Sequence, residues 1–94
     1  MARILVLDDV SDAGELIRRI LTRKGHAVDA FTEEEEALRH AARNPPDLAI
    51  LDIKLKKMTG VEVLEELKKI APEIKAIMLT GYPTLETARE SLRL

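Results

Sequence analysis

A chain of 94 residues with no cysteine, 46% hydrophobic and 34% charged residues and a formal net charge of −2 has room for one small core and no means of stapling it. Disulfides, thiolate metal centres and disorder along the whole length are excluded, and a reducing cytoplasm is the expected setting. The longest apolar runs are four residues, far short of the roughly 18 that a membrane helix needs, and the scattered basic residues leave no nucleic-acid footprint.

The first apolar run, Ile4-Leu5-Val6-Leu7, reads as a buried strand and ends in Asp8-Asp9. Ser11 is placed to cap a helix whose apolar face is Ala13, Leu16, Ile17, Ile20 and Leu21, and Gly25 ends it. Ala27-Val28-Asp29-Ala30-Phe31 is a short second strand. Thr32-Glu33-Glu34-Glu35 has the spacing of a capping box, with acids at the positive end of a second helix that runs through Ala37, Leu38, Ala41 and Ala42. Asn44-Pro45-Pro46 breaks that helix.

Leu48-Ala49-Ile50-Leu51 is a third buried strand that runs straight into Asp52. After a lysine-rich loop, Thr59 and Glu62 form a second capping box, for a helix burying Val61, Leu64, Leu67 and Ile70. Lys75-Ala76-Ile77-Met78-Leu79 is the fourth strand, delivering Thr80, and Thr84 opens a last helix through Leu92. Four βα units with short connections predict an α/β fold, a right-handed parallel sheet with helices on both faces.

In such a sheet the ligand lies at the carboxyl edge of the strands, where Asp8, Asp9 and Asp52 meet if the first and third strands are neighbours. An acidic pair after one strand is an ordinary solvated turn. Three carboxylates together raise one another's pKa unless a cation neutralises them, and all-oxygen ligands without histidine or cysteine favour magnesium. Asp52, standing singly at the centre, is the better nucleophile toward a phosphoryl group, while Asp8 and Asp9 face the metal. Thr80, a turn residue if taken alone, can there donate its hydroxyl to a phosphoryl oxygen. His26 and His40 show no metal-ligand spacing and are expected to face solvent, and residues 33–36 are explained by helix capping and solvation.

These stretches, with Met58-Thr59-Gly60-Val61-Glu62-Val63-Leu64 and Ala76-Ile77-Met78-Leu79-Thr80-Gly81-Tyr82, resemble the receiver domains of bacterial two-component response regulators along the whole chain. The resemblance implies a flavodoxin-like sheet, with strand order 2-1-3-4 for the four strands here. It also implies that Asp52 accepts a phosphoryl group from a sensor histidine kinase or phosphotransfer protein. Magnesium would be held by Asp8, Asp9, Asp52 and the main-chain carbonyl of Lys54, and Thr80 would act as the switch. The chain is then a signalling domain rather than an enzyme.

Against that family, residues 1–94 read as a receiver-like domain without the fifth strand and helix, and so without the family's lysine at the phosphoryl group. Lys75 stands ~16 Å from Thr80, five residues of strand away at about 3.3 Å each. Lys56 and Lys57, after Asp52, are the nearest substitutes. An unpaired fourth strand predicts self-association or domain swapping. Two rival readings follow: a magnesium-dependent phosphohydrolase, which would want an aspartate where Lys54 stands, and a degenerate receiver serving as a phosphorylation-independent interaction module.

Overall fold

A computed structural model describes residues 1–79 of the chain. The elements run β1 (Arg3–Leu7), α1 (Ser11–Arg23), β2 (Ala27–Phe31), α2 (Glu34–Arg43), β3 (Leu48–Asp52), α3 (Gly60–Ile70) and β4 (Lys75–Leu79). Thr80 and the helix expected after Thr84 lie outside the described residues. The strands form one parallel sheet, as the alternation of apolar runs with helical periods predicts, in the order β2-β1-β3-β4 that the family resemblance implies.

Because successive strand residues point to opposite faces, each strand feeds two cores. Leu5, Leu7, Ala49 and Leu51 face α2 and α3, meeting Ala37, Ala41, Val63, Leu64 and Leu67. Ile4, Val6 and Ile50 face the other way, where Ile17 and Leu21 of α1 pack over them. This two-sided burial is why β1 and β3 read as continuous rather than alternating apolar runs.

Helix α1 buries a narrower stripe than expected. Ile17 and Leu21 pack inward, whereas Leu16 and Ile20 are 58% and 47% exposed. Only a single helix covers this face among the described residues, and it covers it with one edge. Its N-cap is Val10 rather than Ser11, with no side-chain cap bond. At the other end Gly25 adopts φ of 91°, a conformation that glycine alone enters without strain, and turns the chain into β2.

The two T-x-x-E stretches behave differently. Thr59 and Glu62 form the reciprocal capping box at α3. Thr32 and Glu35 do not: α2 starts one residue later than expected, with Glu33 as N-cap and no side-chain cap bond. That shift turns Glu34 inward, where it is buried. In α3 the inward residues are Val63, Leu64 and Leu67, while Val61 and Ile70 are only partly covered.

The two histidines are also engaged rather than simply solvated. His26 Nδ1 accepts the Ala2 amide at 3.0 Å. His40 Nε2 lies 3.0 Å from Asp29 Oδ2, and its ring tilts against Phe31. Both bonds tie an element end to its neighbour.

Candidate phosphoacceptor and metal site

The parallel register pairs Leu7 of β1 with Leu51 of β3, so the next residue of each chain segment, Asp8 and Asp52, emerges side by side at the carboxyl edge. Asp8 is fixed by its own amide, which donates to the Phe31 carbonyl at 3.1 Å, and by its Oδ1, which accepts the Val10 amide at 2.9 Å. The second bond is a local Asx turn that leads the chain into α1. Asp52 Oδ1 likewise accepts the amide of Lys54, at 3.1 Å.

Asp8, Asp9 and Asp52 each offer a carboxylate oxygen within 4.8 Å of the others. The side chains of Arg18, Arg19, His40, Lys56, Lys57 and Lys69 pair with other acids. The Asp52 carboxyl is held above its ordinary value of 3.8, first by burial and then by the negative charges of Asp8 and Asp9, against the lowering effect of the Lys54 amide. The site therefore disfavours a third negative charge unless something positive enters it.

A hard divalent cation fits these donors. Octahedral magnesium, with ligands at about 2.1 Å, sets opposite ligands ~4.2 Å apart and keeps several of its waters. Oxygens up to 4.8 Å apart thus need only a small inward movement, or one bridging water, to share the ion. Lys54, the fourth expected ligand, follows Asp52 by two residues. Its amide is bonded to the carboxylate and its backbone bridges to Thr59.

The loop between Asp52 and α3 is closed tightly. The Gly60 amide donates to the Ile53 carbonyl at 2.9 Å, and a Cβ at Gly60 would fall on the Asp52 carbonyl oxygen, a close approach that demands glycine. On the β4 side, Ile53 N donates to the Leu79 carbonyl at 2.9 Å. Asp52 pairs in register with Leu79, the residue before Thr80. The Thr80 hydroxyl itself falls outside the described residues.

Lys56 and Lys57, the nearest candidates for a phosphoryl-contacting lysine, are turned toward other partners in this structure. Their ammonium groups reach toward α2, with Lys56 Nζ 3.4 Å from Glu33 Oε1 and Lys57 Nζ 3.6 Å from Glu35 Oε1.

Sequence reasoning missed Glu34, which is 1% exposed and accepts the amides of Lys57 and Met58 on Oε2 at 2.6 and 3.1 Å. The signal was present: Glu34, Ala37, Leu38 and Ala41 follow the i, i+3, i+4, i+7 spacing of one helix face. An acid on the inward face is what solvation of an acidic run does not explain.

The chain matches the sequence profile described as the response regulator receiver domain over residues 4–94. It is 31% identical over 88 residues to the luminescence regulatory protein LuxO of Vibrio campbellii, covering 94% of this chain but only 19% of that protein, so it spans about a fifth of that relative's length. Among solved structures it resembles a response regulator protein from Burkholderia pseudomallei, described with a phosphorylated aspartic acid, calcium ion and citrate. That likeness has a TM-score of 0.89 and 27% identity, and covers 99% of this chain and 55% of that one. It also resembles the response regulator TrrA of Thermotoga maritima in complex with Mg(2+)-BeF, with a TM-score of 0.83 and 36% identity, covering 98% of this chain and 80% of that one. With a flavodoxin-like sheet, three carboxylates at its carboxyl edge and a profile match along nearly its whole length, the chain belongs to the response regulator receiver domain family.

Proposed function

We propose that this receiver domain is a phosphoacceptor, with Asp52 taking a phosphoryl group from a phosphohistidine of a sensor kinase or phosphotransfer protein. In that transfer the P–N bond breaks as an Asp52 oxygen bonds to phosphorus, and the electron pair returns to the imidazole, which takes up a proton. Asp8, Asp9, Asp52 and the main-chain carbonyl of Lys54 would hold magnesium, which when bound offsets the negative charge of the transferring oxygens. The protein's own part is positioning: Asp8 and Asp52 are held by backbone amides, and Thr80 follows the strand that pairs with β3. Its hydroxyl is the proposed donor to the new phosphoryl group and the start of the conformational response.

The observation that carries this reading is the gathering of Asp8, Asp9 and Asp52 within 4.8 Å. A regulator similar in fold carries a phosphorylated aspartic acid and a calcium ion, and another carries Mg(2+)-BeF, which supports the same chemistry here. Incubation with magnesium and a small phosphodonor should add the mass of one phosphoryl group, base-labile and absent from Asp52→Asn. Many turnovers per chain would instead make the protein a hydrolase. No modification, with partner binding intact, would make it a phosphorylation-independent interaction module.

A signalling role of this kind belongs in the cytoplasm, and among the described residues no helix is long and apolar enough to cross a membrane. Self-association along β4 is part of the proposal. Ile77 on that strand is 48% exposed, and a monomer in sedimentation at all concentrations would remove that part.

A further inference from the structure

Three successive glutamates at the start of α2 all reach the loop that follows Asp52. Glu33 takes the Lys56 ammonium, Glu35 takes the Lys57 ammonium, and between them Glu34 takes the Lys57 and Met58 backbone amides. The outer two pairs are exposed, while Glu34 is 1% exposed and its second oxygen, Oε1, has no hydrogen-bond partner among the described residues.

A carboxylate removed from water with one oxygen unused is costly. Two features offset that cost: two charge-assisted bonds from amides, and a place in the first turn of α2, where the helix dipole is positive. A loop needing only burial would be served by an apolar residue at position 34. What the carboxylate adds is a fixed distance between α2 and residues 57 and 58, spanning 23 and 24 residues of sequence.

The other anchors of this loop lie beside Asp52. Lys54 donates to the Asp52 carboxylate, bridges to Thr59, and is followed by the capping box and the Gly60 closure. The segment carrying the proposed main-chain ligand is therefore strung between Asp52 and the Glu34 clasp. Releasing one end would loosen the other.

We infer that Glu34 is a positioning residue of the Asp52 site, setting the path of the residue 53–59 loop and through it the affinity for magnesium; this rests on the phosphoacceptor reading above. Its role is that of an acceptor, so Glu34→Gln, whose amide oxygen can take the same two donors, should preserve it and Glu34→Ala should not.

The test pairs amide hydrogen exchange with magnesium titration of the full chain. In Glu34→Ala, exchange at Lys57 and Met58 should speed at least tenfold and the magnesium Kd should rise about tenfold. Glu34→Gln should stay within about twofold of wild type in both. Magnesium binding and clasp closure must favour each other reciprocally, so in wild type magnesium should slow exchange at Lys57 and Met58 more than at the core residue Leu64. This last measurement decides the matter if Glu34→Ala fails to fold. Unchanged magnesium affinity in a folded Glu34→Ala overturns the inference, as does Glu34→Gln binding as weakly as Glu34→Ala, or the absence of slowing in wild type that binds the ion. Wild type that binds no magnesium defeats the phosphoacceptor reading as well, and is told apart by unshifted Asp8, Asp9 and Asp52 resonances.

Discussion

Two acidic triplets lie at the same edge of this sheet and are neutralised in opposite ways. Glu33, Glu34 and Glu35 are answered by the protein itself, through two lysine side chains and two backbone amides. Among the described residues Asp8 and Asp52 each accept one local backbone amide, and burial, with Asp8 and Asp9 beside it, holds the Asp52 carboxyl above its ordinary value. The first triplet builds a scaffold with its charge already spent. On the proposed reading the second keeps its charge for a cation from outside, and the loop between β3 and α3 joins the two.

The sharpest way to break that contrast is to supply the cation. At a hundred times its Kd, magnesium should raise the unfolding free energy by about 2.7 kcal/mol, read as a shift in denaturation midpoint. Asp9→Asn should lose most of that shift while Glu35→Gln keeps it. Equal shifts in both variants would mean that the two triplets are not different in kind.

Next in size is the junction that holds them in relation. Gly60→Ala places a methyl group on the Asp52 carbonyl oxygen, which is backbone and unable to step aside. The expected loss is about 1–3 kcal/mol, with weaker magnesium binding, measured by chemical denaturation and titration. A variant as stable as wild type would show that the junction is softer than its geometry.

Smaller again is the effect of removing the Asp52 charge from the metal-free protein. The folded-state pKa is raised above 3.8, so the folded chain binds this proton more tightly than the unfolded chain. The ionised carboxylate then costs stability, absent below the unfolded value and growing as pH climbs from there through the raised folded value. Asp52→Asn should therefore be more stable than wild type at neutral pH, and the gap should close as the pH falls below 3.8. Magnesium should close it at neutral pH as well. A gap that widens in acid would reverse the sign and refute the account.

The contrast also explains what could be read from the chain alone. Strands ending in aspartates, the parallel βα alternation and the Thr59–Glu62 box rest on residues a few positions apart or on simple periodicity, and these were legible, whereas the strand order came with the family resemblance. Thr32 to Glu35 has the same spacing as Thr59 to Glu62, yet its glutamates bond to residues 56–58, brought near only by folding. A local signature was overruled by acceptors wanted elsewhere. The same limit applies to Leu16 and Ile20, whose exposure depends on how much of the sheet one helix covers. The lysines after Asp52 likewise looked available for phosphate because their glutamate partners are more than 20 residues distant in sequence.

The weakest link should be the outer pair of that clasp. Lys56 with Glu33 and Lys57 with Glu35 lie at 3.4 and 3.6 Å between exposed side chains, so water and salt screen them and each should contribute no more than about 0.5 kcal/mol. Glu33→Gln and Glu35→Gln should shift the denaturation midpoint barely, less still at 1 M salt, and leave magnesium affinity within about twofold. Glu34 is where the clasp is dry, so its replacement should stand apart from both neighbours. If the outer variants weaken magnesium as much as Glu34→Ala does, the loop is held by charge summed over all three glutamates, and the buried carboxylate has no special place among them.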